Sequence, residues 1–194
     1  MFENFRNIIG VLNIYRSNEF DLLNEEEYQY LIKRVEKDIK VIDLRGCSFE
    51  NFSDIRKCII TIPIEMLTLN LYSLYYKNSS WVDKILFYFY NDKKYFLTNT
   101  LVRRGIIAMY MDFLEADKIE ILKIFKLLLH NREGIIIINC KYGKDRTGLI
   151  CMLIMLLCGI DDETIISEYS ESFTNLDKDG NRLEMIKDMN LCGL

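Results

Sequence analysis

The sequence predicts an α/β fold with a mostly parallel central sheet flanked by helices on both faces. Runs of β-branched residues alternate with amphipathic stretches along the chain, which is the pattern of parallel strands joined by crossover helices. The clearest run, Ile135–Ile138, holds four isoleucines with no polar alternation. Such a run is typical of a central parallel strand buried on both faces. A short loop and a strongly apolar stretch follow it, which indicates a strand–loop–helix unit.

The remaining elements follow from periodicity and from helix start and stop signals. We expect strands at Val11–Tyr15, Val41–Leu44, Ile59–Ile62 and Ile135–Ile138. The first of these is a possible edge strand. We expect helices at Glu25–Asp38 with Asn24 as cap, Trp81–Tyr90, Thr98–Glu115, Lys118–His130, Arg146–Cys158, and from Asp161 or Asp162 to Ser172. The apolar residues predicted to pack inward in the fourth helix are Ile121, Leu122, Ile124, Phe125, Leu128 and Leu129. No repeat or linker divides the chain, so one domain over residues 1–194 is expected.

Composition excludes several classes of protein. The chain has 194 residues, half of them hydrophobic, and a formal net charge of -4. A general nucleic-acid binder is usually basic, so no nucleic-acid partner is expected. An anionic substrate must therefore be attracted by a local positive site. The longest dense apolar stretch, Leu149–Cys158, is about half of a bilayer span, so no transmembrane segment is expected.

Cysteine usage indicates reduced thiols. The six cysteines are Cys47, Cys58, Cys140, Cys151, Cys158 and Cys192. The chain is long and apolar enough to fold without a disulfide framework, and its first residues lack the features of a signal peptide. We therefore expect a cytoplasmic protein. No Cys-x-x-Cys pair occurs, and the calcium-like segment 175–181 lacks its terminal Glu, so that segment is read as a polar turn and no metal site is expected.

The segment from Asn139 to Gly148 carries the chemistry. It joins the buried strand to the apolar helix, at the strand end where open α/β sheets bind ligands. A loop that enters a helix directs several backbone N–H groups to one point, which suits an anion and stabilises a cysteine thiolate. Arg146 follows Cys140 by six positions, so its guanidinium can bind two phosphate oxygens if the loop curls. Gly143 permits a positive φ or a close backbone approach, and Thr147 can donate its hydroxyl to the thiolate.

These residues resemble a known signature. Cys-x-x-Gly-Lys-Asp-Arg-Thr-Gly is similar to the signature loop of the protein tyrosine phosphatase superfamily, and in particular of its bacterial tyrosine/lipid phosphatases. Segments outside the loop that also resemble that branch are Asn4–Asn7, Tyr15–Ser17, Val41–Arg45 and Glu168–Ser172. One departure is Asn139, where the family usually has a His that supports the thiolate.

The resemblance implies a phosphatase fold and a two-step mechanism without a cofactor. Cys140 attacks phosphorus to form a cysteinyl-phosphate that water hydrolyses, and Arg146 holds the phosphate. The leaving oxygen needs a proton donor, and the resemblance points to Asp145. Asp145 can instead simply pair with Lys144 or Arg16. Asp43 is a second candidate acid, and it can alternatively serve as the buried partner of an arginine.

Further candidates concern the substrate. Lys141 and Lys144 resemble the lysines with which phosphoinositide phosphatases reach additional phosphates, although Lys141 can also be merely solvated. Tyr142 either packs on a substrate ring or lines the rim. Arg45, which ends the Val41–Arg45 resemblance, completes the substrate-binding candidates with Gly143 and Thr147.

The expected substrate is a phosphotyrosine protein, a phosphoinositide or an inositol phosphate. Two other functions stay open: a thiol-based reductase of the arsenate reductase type, for which Cys151 and Cys158 are poorly placed, and a non-catalytic phosphate-binding module. The single histidine, His130, is read as a surface or capping residue.

Overall fold

The computed structural model describes residues 5–18, 26, 29, 39–46, 59–66, 76–77, 79–90, 107–108, 110–131 and 134–178. Within them, the strands are β1 (Arg6–Asn7), β2 (Ile14–Ser17), β3 (Ile39–Asp43), β4 (Ile59–Pro63) and β5 (Ile135–Asn139). The helices are α1 (Trp81–Tyr90), α2 (Lys118–His130), α3 (Asp145–Leu157) and α4 (Asp162–Lys178), and residues 110–116 are also helical.

The strands form one sheet in the order β1-β2-β5-β3-β4. All pairs are parallel except β1 with β2, which is antiparallel. The central strand β5 is buried along its whole length, because it has a parallel neighbour on each side and its isoleucines fill both faces. The predicted mostly parallel α/β sheet is therefore confirmed.

The parallel register brings the carboxyl ends of three strands to one edge of the sheet. Asn139 at the end of β5 lies opposite Ser17 of β2 and Asp43 of β3. This edge is where loops from neighbouring strands meet in open α/β sheets. The side chains of all three residues are fully buried, so the edge has a polar interior.

By compactness the chain divides into two units, Met1–Glu65 with Glu120–Gly180, and Met66–Ile119 with Asn181–Leu194. The sheet, α3 and α4 belong to the first unit. One phosphatase domain over residues 1–194 stays a prediction. None of the helices among the described residues is long and apolar enough to cross a membrane.

Several boundaries differ from the sequence prediction. The strand expected at an edge is β2, which has partners on both sides because β1 pairs beyond it. In α2, Ile124 is buried as expected, but the side chains of Leu122 and Leu129 are 54% and 73% exposed. The prediction that these two leucines pack inward was wrong. Asn175 lies within α4 and not in a polar turn, because the helix continues to Lys178.

Other expectations are met or fall outside the described residues. The side chain of Asp161 caps α4 by accepting a hydrogen bond from the Thr164 amide at 2.9 Å, as predicted. The helix Trp81–Tyr90 has the predicted bounds. His130 is exposed, and its Nδ1 lies 2.6 Å from the carbonyl oxygen of Lys126. The helix expected over Glu25–Asp38 and the first part of Thr98–Glu115 lie largely outside the described residues.

Candidate active site

Cys140 lies directly after β5, at the start of the loop that leads into α3. Its side chain is 3% exposed and the thiol is free. Helix α3 begins at Asp145, and the side chain of its N-cap residue, Lys144, makes no capping hydrogen bond. The first amides of a helix lack intrahelical acceptors, so they form a ready site for an anion. The fold thus places a thiol beside a helix N-terminus.

Gly143 packs tightly against the end of β2. Its φ is +62°, in the left-handed region that favours glycine. A Cβ at this position would lie 2.5 Å from the carbonyl oxygen of Ser17 and 2.7 Å from the amide nitrogen of Asn18. The glycine therefore meets both conditions predicted for it, a positive φ and a close approach between two backbone segments.

Arg146 is anchored at the sheet edge. One of its terminal nitrogens, Nη1, donates to the carbonyl oxygen of Leu44 at 3.1 Å. Leu44 follows β3 immediately, and its amide donates to the carbonyl oxygen of Asn139 at 2.9 Å. The half-buried guanidinium thus reaches from the first turn of α3 to the end of β3.

Asp43 and Arg45 form a tight ion pair at the end of β3. The Asp43 carboxylate is fully buried and accepts hydrogen bonds from the Arg45 amide at 2.8 Å, from Nε at 3.1 Å and from Nη2 at 2.7 Å. Asn139 also lies within reach, with Nδ2 3.5 Å from Oδ2 of Asp43. This geometry corresponds to the alternative interpretation of Asp43, a buried partner for an arginine, and it orients Arg45.

The charged residues of the loop differ in exposure. Lys144 is 5% exposed, and its Nζ lies 3.3 Å from Oδ1 of Asp145, which is partly exposed. Lys141 is exposed, with its Nζ 5.0 Å from the centroid of the Tyr142 ring, a distance at which a cation and an aromatic face attract. Two positive groups therefore follow Cys140, one within the protein and one in solvent.

Thr147 occupies the first turn of α3. Its side chain is fully buried, and its hydroxyl makes no hydrogen bond to any described residue. The predicted bond to the Cys140 sulfur is therefore not formed in this structure.

A buried ionic network lies behind the loop, and sequence reasoning assigned it no role. Arg16 is fully buried and donates to Oε2 of Glu168 at 2.6 Å and to the carbonyl oxygen of Gly143 at 2.5 Å. Arg6 donates to the Glu168 carbonyl oxygen at 2.7 Å and to Oγ of Ser172 at 3.1 Å. Burial and the charge of Arg16 lower the pKa of Arg6.

These partners are far apart in sequence, which explains why pattern reasoning missed them. Arg16 and Glu168 are separated by 152 residues, and no local periodicity links them. The one available signal was the resemblance of Tyr15–Ser17 and Glu168–Ser172 to family segments. Gly148 completes the packing, because a Cβ there would lie 2.8 Å from the ring of Tyr169.

The other described cysteines, Cys151 and Cys158, are unsuited to redox exchange with Cys140. Cys151 is fully buried in α3, and desolvation raises the pKa of its thiol to about 12. Cys158 caps the opposite end of α3 and is exposed. A helix of 13 residues spans about 20 Å, which separates Cys158 from the loop.

Comparison with known proteins identifies the family. The sequence matches the tyrosine phosphatase family over residues 4–191. The chain belongs to the tyrosine phosphatase family. As a member of this family it is a phosphatase, and the fold class and the recognised resemblance are confirmed. No curated protein matches the chain at the sequence level.

Two solved structures resemble this tyrosine phosphatase family member. One is the core catalytic domain of the PP-IP phosphatase SIW14 from S. cerevisiae in complex with citrate, at 17% identity over 88% of this chain and 75% of that chain, with a TM-score of 0.48. The other is the Siw14 catalytic core, at 16% identity over 98% and 93% of the two chains, also with a TM-score of 0.48.

Proposed function

We propose that this phosphatase hydrolyses phosphomonoesters through a cysteinyl-phosphate on Cys140. The observation that carries the proposal is the position of Cys140 between the end of the central strand and the N-terminus of α3, with Arg146 directed to the same sheet edge. The Cys140 sulfur attacks phosphorus, the bond to the leaving oxygen breaks, and a proton reaches that oxygen. Water then attacks phosphorus and releases phosphate and the thiolate.

Transition-state charge is held by the loop amides and by Arg146. Donors fixed before the reaction stabilise developing negative charge without reorganising. Gly143 is held against β2, so the loop is supported by the sheet on that side. Arg146 is anchored through one nitrogen to Leu44, which leaves its planar fork oriented for bidentate binding of phosphate oxygens.

Asp145 is the proposed general acid. It begins α3 within five residues of the nucleophile and is partly exposed. Asp43 is the weaker candidate, because it is fully buried and its oxygens accept hydrogen bonds from three donor groups of Arg45. Asp145 is partly exposed, although one of its oxygens lies 3.3 Å from Nζ of Lys144, the pairing left open as its alternative role. A proton donor matters most when the leaving phenol is weakly acidic. We expect Asp145→Asn to reduce kcat/KM, which reports the step that expels the phenol, more for phosphotyrosine than for p-nitrophenyl phosphate, with Asp162→Asn in α4 as control. An equal reduction for both would contradict the assignment.

The substrate is proposed to be a phosphotyrosine protein, a phosphoinositide or an inositol phosphate. Lys141, Lys144 and Arg45 would bind charge beyond the transferred phosphate, and Tyr142 would pack on the substrate ring. Lys141 supports this proposal because it is exposed beside Tyr142, where a second phosphate can reach both. We expect Lys141→Ala to raise KM for phosphoinositides but not for phosphotyrosine peptides. Lys126→Ala, an exposed lysine on α2, is the control.

The deciding experiment compares wild type with Cys140→Ser on a phosphotyrosine peptide and on soluble phosphoinositides and inositol phosphates. Turnover that disappears in Cys140→Ser supports the mechanism, and trapping of a phosphorylated Cys140 in rapidly quenched wild type identifies the intermediate. A variant that retains activity would refute Cys140 as nucleophile. Wild type that binds phosphate without turnover would favour a binding module. A cytoplasmic location stays a prediction.

A further inference from the structure

Arg16 is an unusual residue to find beneath a loop that binds anions. It lies on β2 with no solvent exposure, and Glu168, 2% exposed, neutralises its charge at 2.6 Å. Burying an ion pair usually costs more desolvation energy than its attraction returns, unless further hydrogen bonds are satisfied. An arginine whose charge is already neutralised by a carboxylate attracts a substrate only weakly. Its second contact, to the Gly143 carbonyl, therefore indicates its purpose.

The contact to Gly143 fixes the orientation of one peptide group in the loop. Arg16 Nη2 donates to the Gly143 carbonyl oxygen at 2.5 Å. A trans peptide is planar, so its C=O and the following N–H point in opposite directions. Since the Gly143 carbonyl faces the buried Arg16, the amide N–H of Lys144 faces away from it. That amide belongs to the N-cap residue of α3, whose own side chain makes no capping hydrogen bond.

Two contacts from β2 and the residue after it hold the loop at this point. Gly143 abuts the Ser17 and Asn18 backbone, which blocks movement toward β2, and Arg16 attracts the carbonyl of the same residue. Glu168 on α4 in turn restrains Arg16. Rotation of the Gly143–Lys144 peptide would leave Nη2 of Arg16 without its buried carbonyl acceptor, so the hydrogen bond opposes that rotation.

We propose that Arg16, restrained by Glu168, is a positioning residue that orients the Lys144 amide toward the substrate phosphate. The inference deepens the proposed function, since it assumes that the loop holds the phosphate. Arg16 does not touch the substrate. It acts through the peptide group between Gly143 and Lys144.

The test uses Arg16→Lys, which keeps the charge but cannot reach Glu168 and Gly143 with a rigid fork. Ser172→Ala is the matched control, because it removes a bond from the same buried network at Arg6 and not at the loop. Unfolding temperature, kcat and KM are measured for each, together with the affinity for inorganic phosphate by calorimetry. Misplacing an oxyanion donor by about 1 Å costs about 100-fold in rate, and losing the donor costs about 100- to 1,000-fold in kcat.

We expect Arg16→Lys to lose about 100-fold in kcat and about 10-fold in phosphate affinity, the loss expected for one hydrogen bond to a charged group. Ser172→Ala should lose thermal stability alone. Equal kcat and phosphate affinity in folded Arg16→Lys and wild type would overturn the proposal. Wild type without turnover would refute the proposed function, whereas weaker phosphate binding by Arg16→Lys would still support the inference.

A measurement on the wild type tests the proposal even if the Arg16→Lys protein does not fold. In amide NMR spectra, added inorganic phosphate should shift the Lys144 resonance strongly, because that N–H donates to the anion. A Lys144 amide unaffected at saturating phosphate, or no phosphate binding at all, would overturn the proposal.

Discussion

Gly143→Ala perturbs the loop at the point where it contacts the sheet. The change has two costs that can be read from the structure. An L-residue at φ +62° pays about 1–2 kcal/mol for the left-handed conformation. In addition, the new Cβ would lie 2.5 Å from the Ser17 carbonyl oxygen, whereas ordinary contacts begin at 3.4 Å. The obstructing atoms belong to the backbone, so no side-chain rotation relieves the overlap.

The overlap translates into a displacement of the loop. To reach an ordinary contact, the loop and the end of β2 must separate by the difference between 3.4 and 2.5 Å, about 0.9 Å. A displacement of about 1 Å at reacting groups can cost 10²-fold in rate. We therefore expect Gly143→Ala to lower kcat by about 100-fold on p-nitrophenyl phosphate, and to lower the unfolding free energy by at least about 1–2 kcal/mol.

Gly159→Ala is a matched control for the backbone cost alone. Gly159 ends α3 with φ +73°, and a Cβ there would have nothing within 4 Å. It should lose about the same 1–2 kcal/mol in urea denaturation while keeping its kcat. If Gly143→Ala matched Gly159→Ala in stability and retained kcat within about threefold, the close approach of loop and strand would be refuted as a requirement for activity.

Three further predictions concern the surroundings of the site. Glu168→Gln leaves the buried Arg16 without its carboxylate and should cost about 3–5 kcal/mol in urea denaturation. This is clearly more than Glu171→Gln, whose side chain is 48% exposed; equal losses would contradict the network. Cys151, with the pKa of its thiol raised to about 12, should resist alkylation by iodoacetamide at pH 8 in the native protein. Cys151→Ala should keep phosphatase turnover, and loss of turnover in this variant would reopen the reductase alternative. Hydrogen bonds from Thr164 lower the pKa of Asp161 below 3.8, so the stability that the cap contributes is complete above pH 3.8 and is lost as the pH falls through the lower pKa of the folded state. The difference in unfolding temperature between wild type and Asp161→Ala should therefore shrink on acidification, and a difference that stays constant would exclude the charge effect.

The sequence was most informative where burial leaves a continuous pattern. Four isoleucines predicted β5, and the apolar stretch after the loop predicted α3, because both elements are covered on most sides. Prediction failed where the environment is decided by distant segments. Leu122 and Leu129 follow helical spacing yet are exposed, and the position of β2 in the sheet depends on β1, a strand of two residues.

For the site, sequence identified the groups within the loop but not what holds them. The candidate nucleophile, phosphate clamp and glycine lie within seven consecutive residues, so a local pattern contains them. The supports for these groups come from β1, β2, β3 and α4, and their partners depend on which strands are neighbours. Asp43 illustrates the difference. The sequence left open whether it is the general acid or the buried partner of an arginine, and its contacts with Arg45 favour the second role.

The distribution of charge explains how a protein with a net charge of -4 can favour an anion at one place. Behind the loop, Arg16 is neutralised by Glu168, and at the end of β3 Arg45 is paired with Asp43. Paired charges add little field at a distance, so these arginines act mainly as rigid hydrogen-bond donors. We therefore expect the attraction for a dianion to come from the helix N-terminus, Arg146 and the exposed Lys141, since Lys144 is itself paired with Asp145. These groups all lie within six residues of Cys140 in the sequence, which is why we propose the phosphate site there.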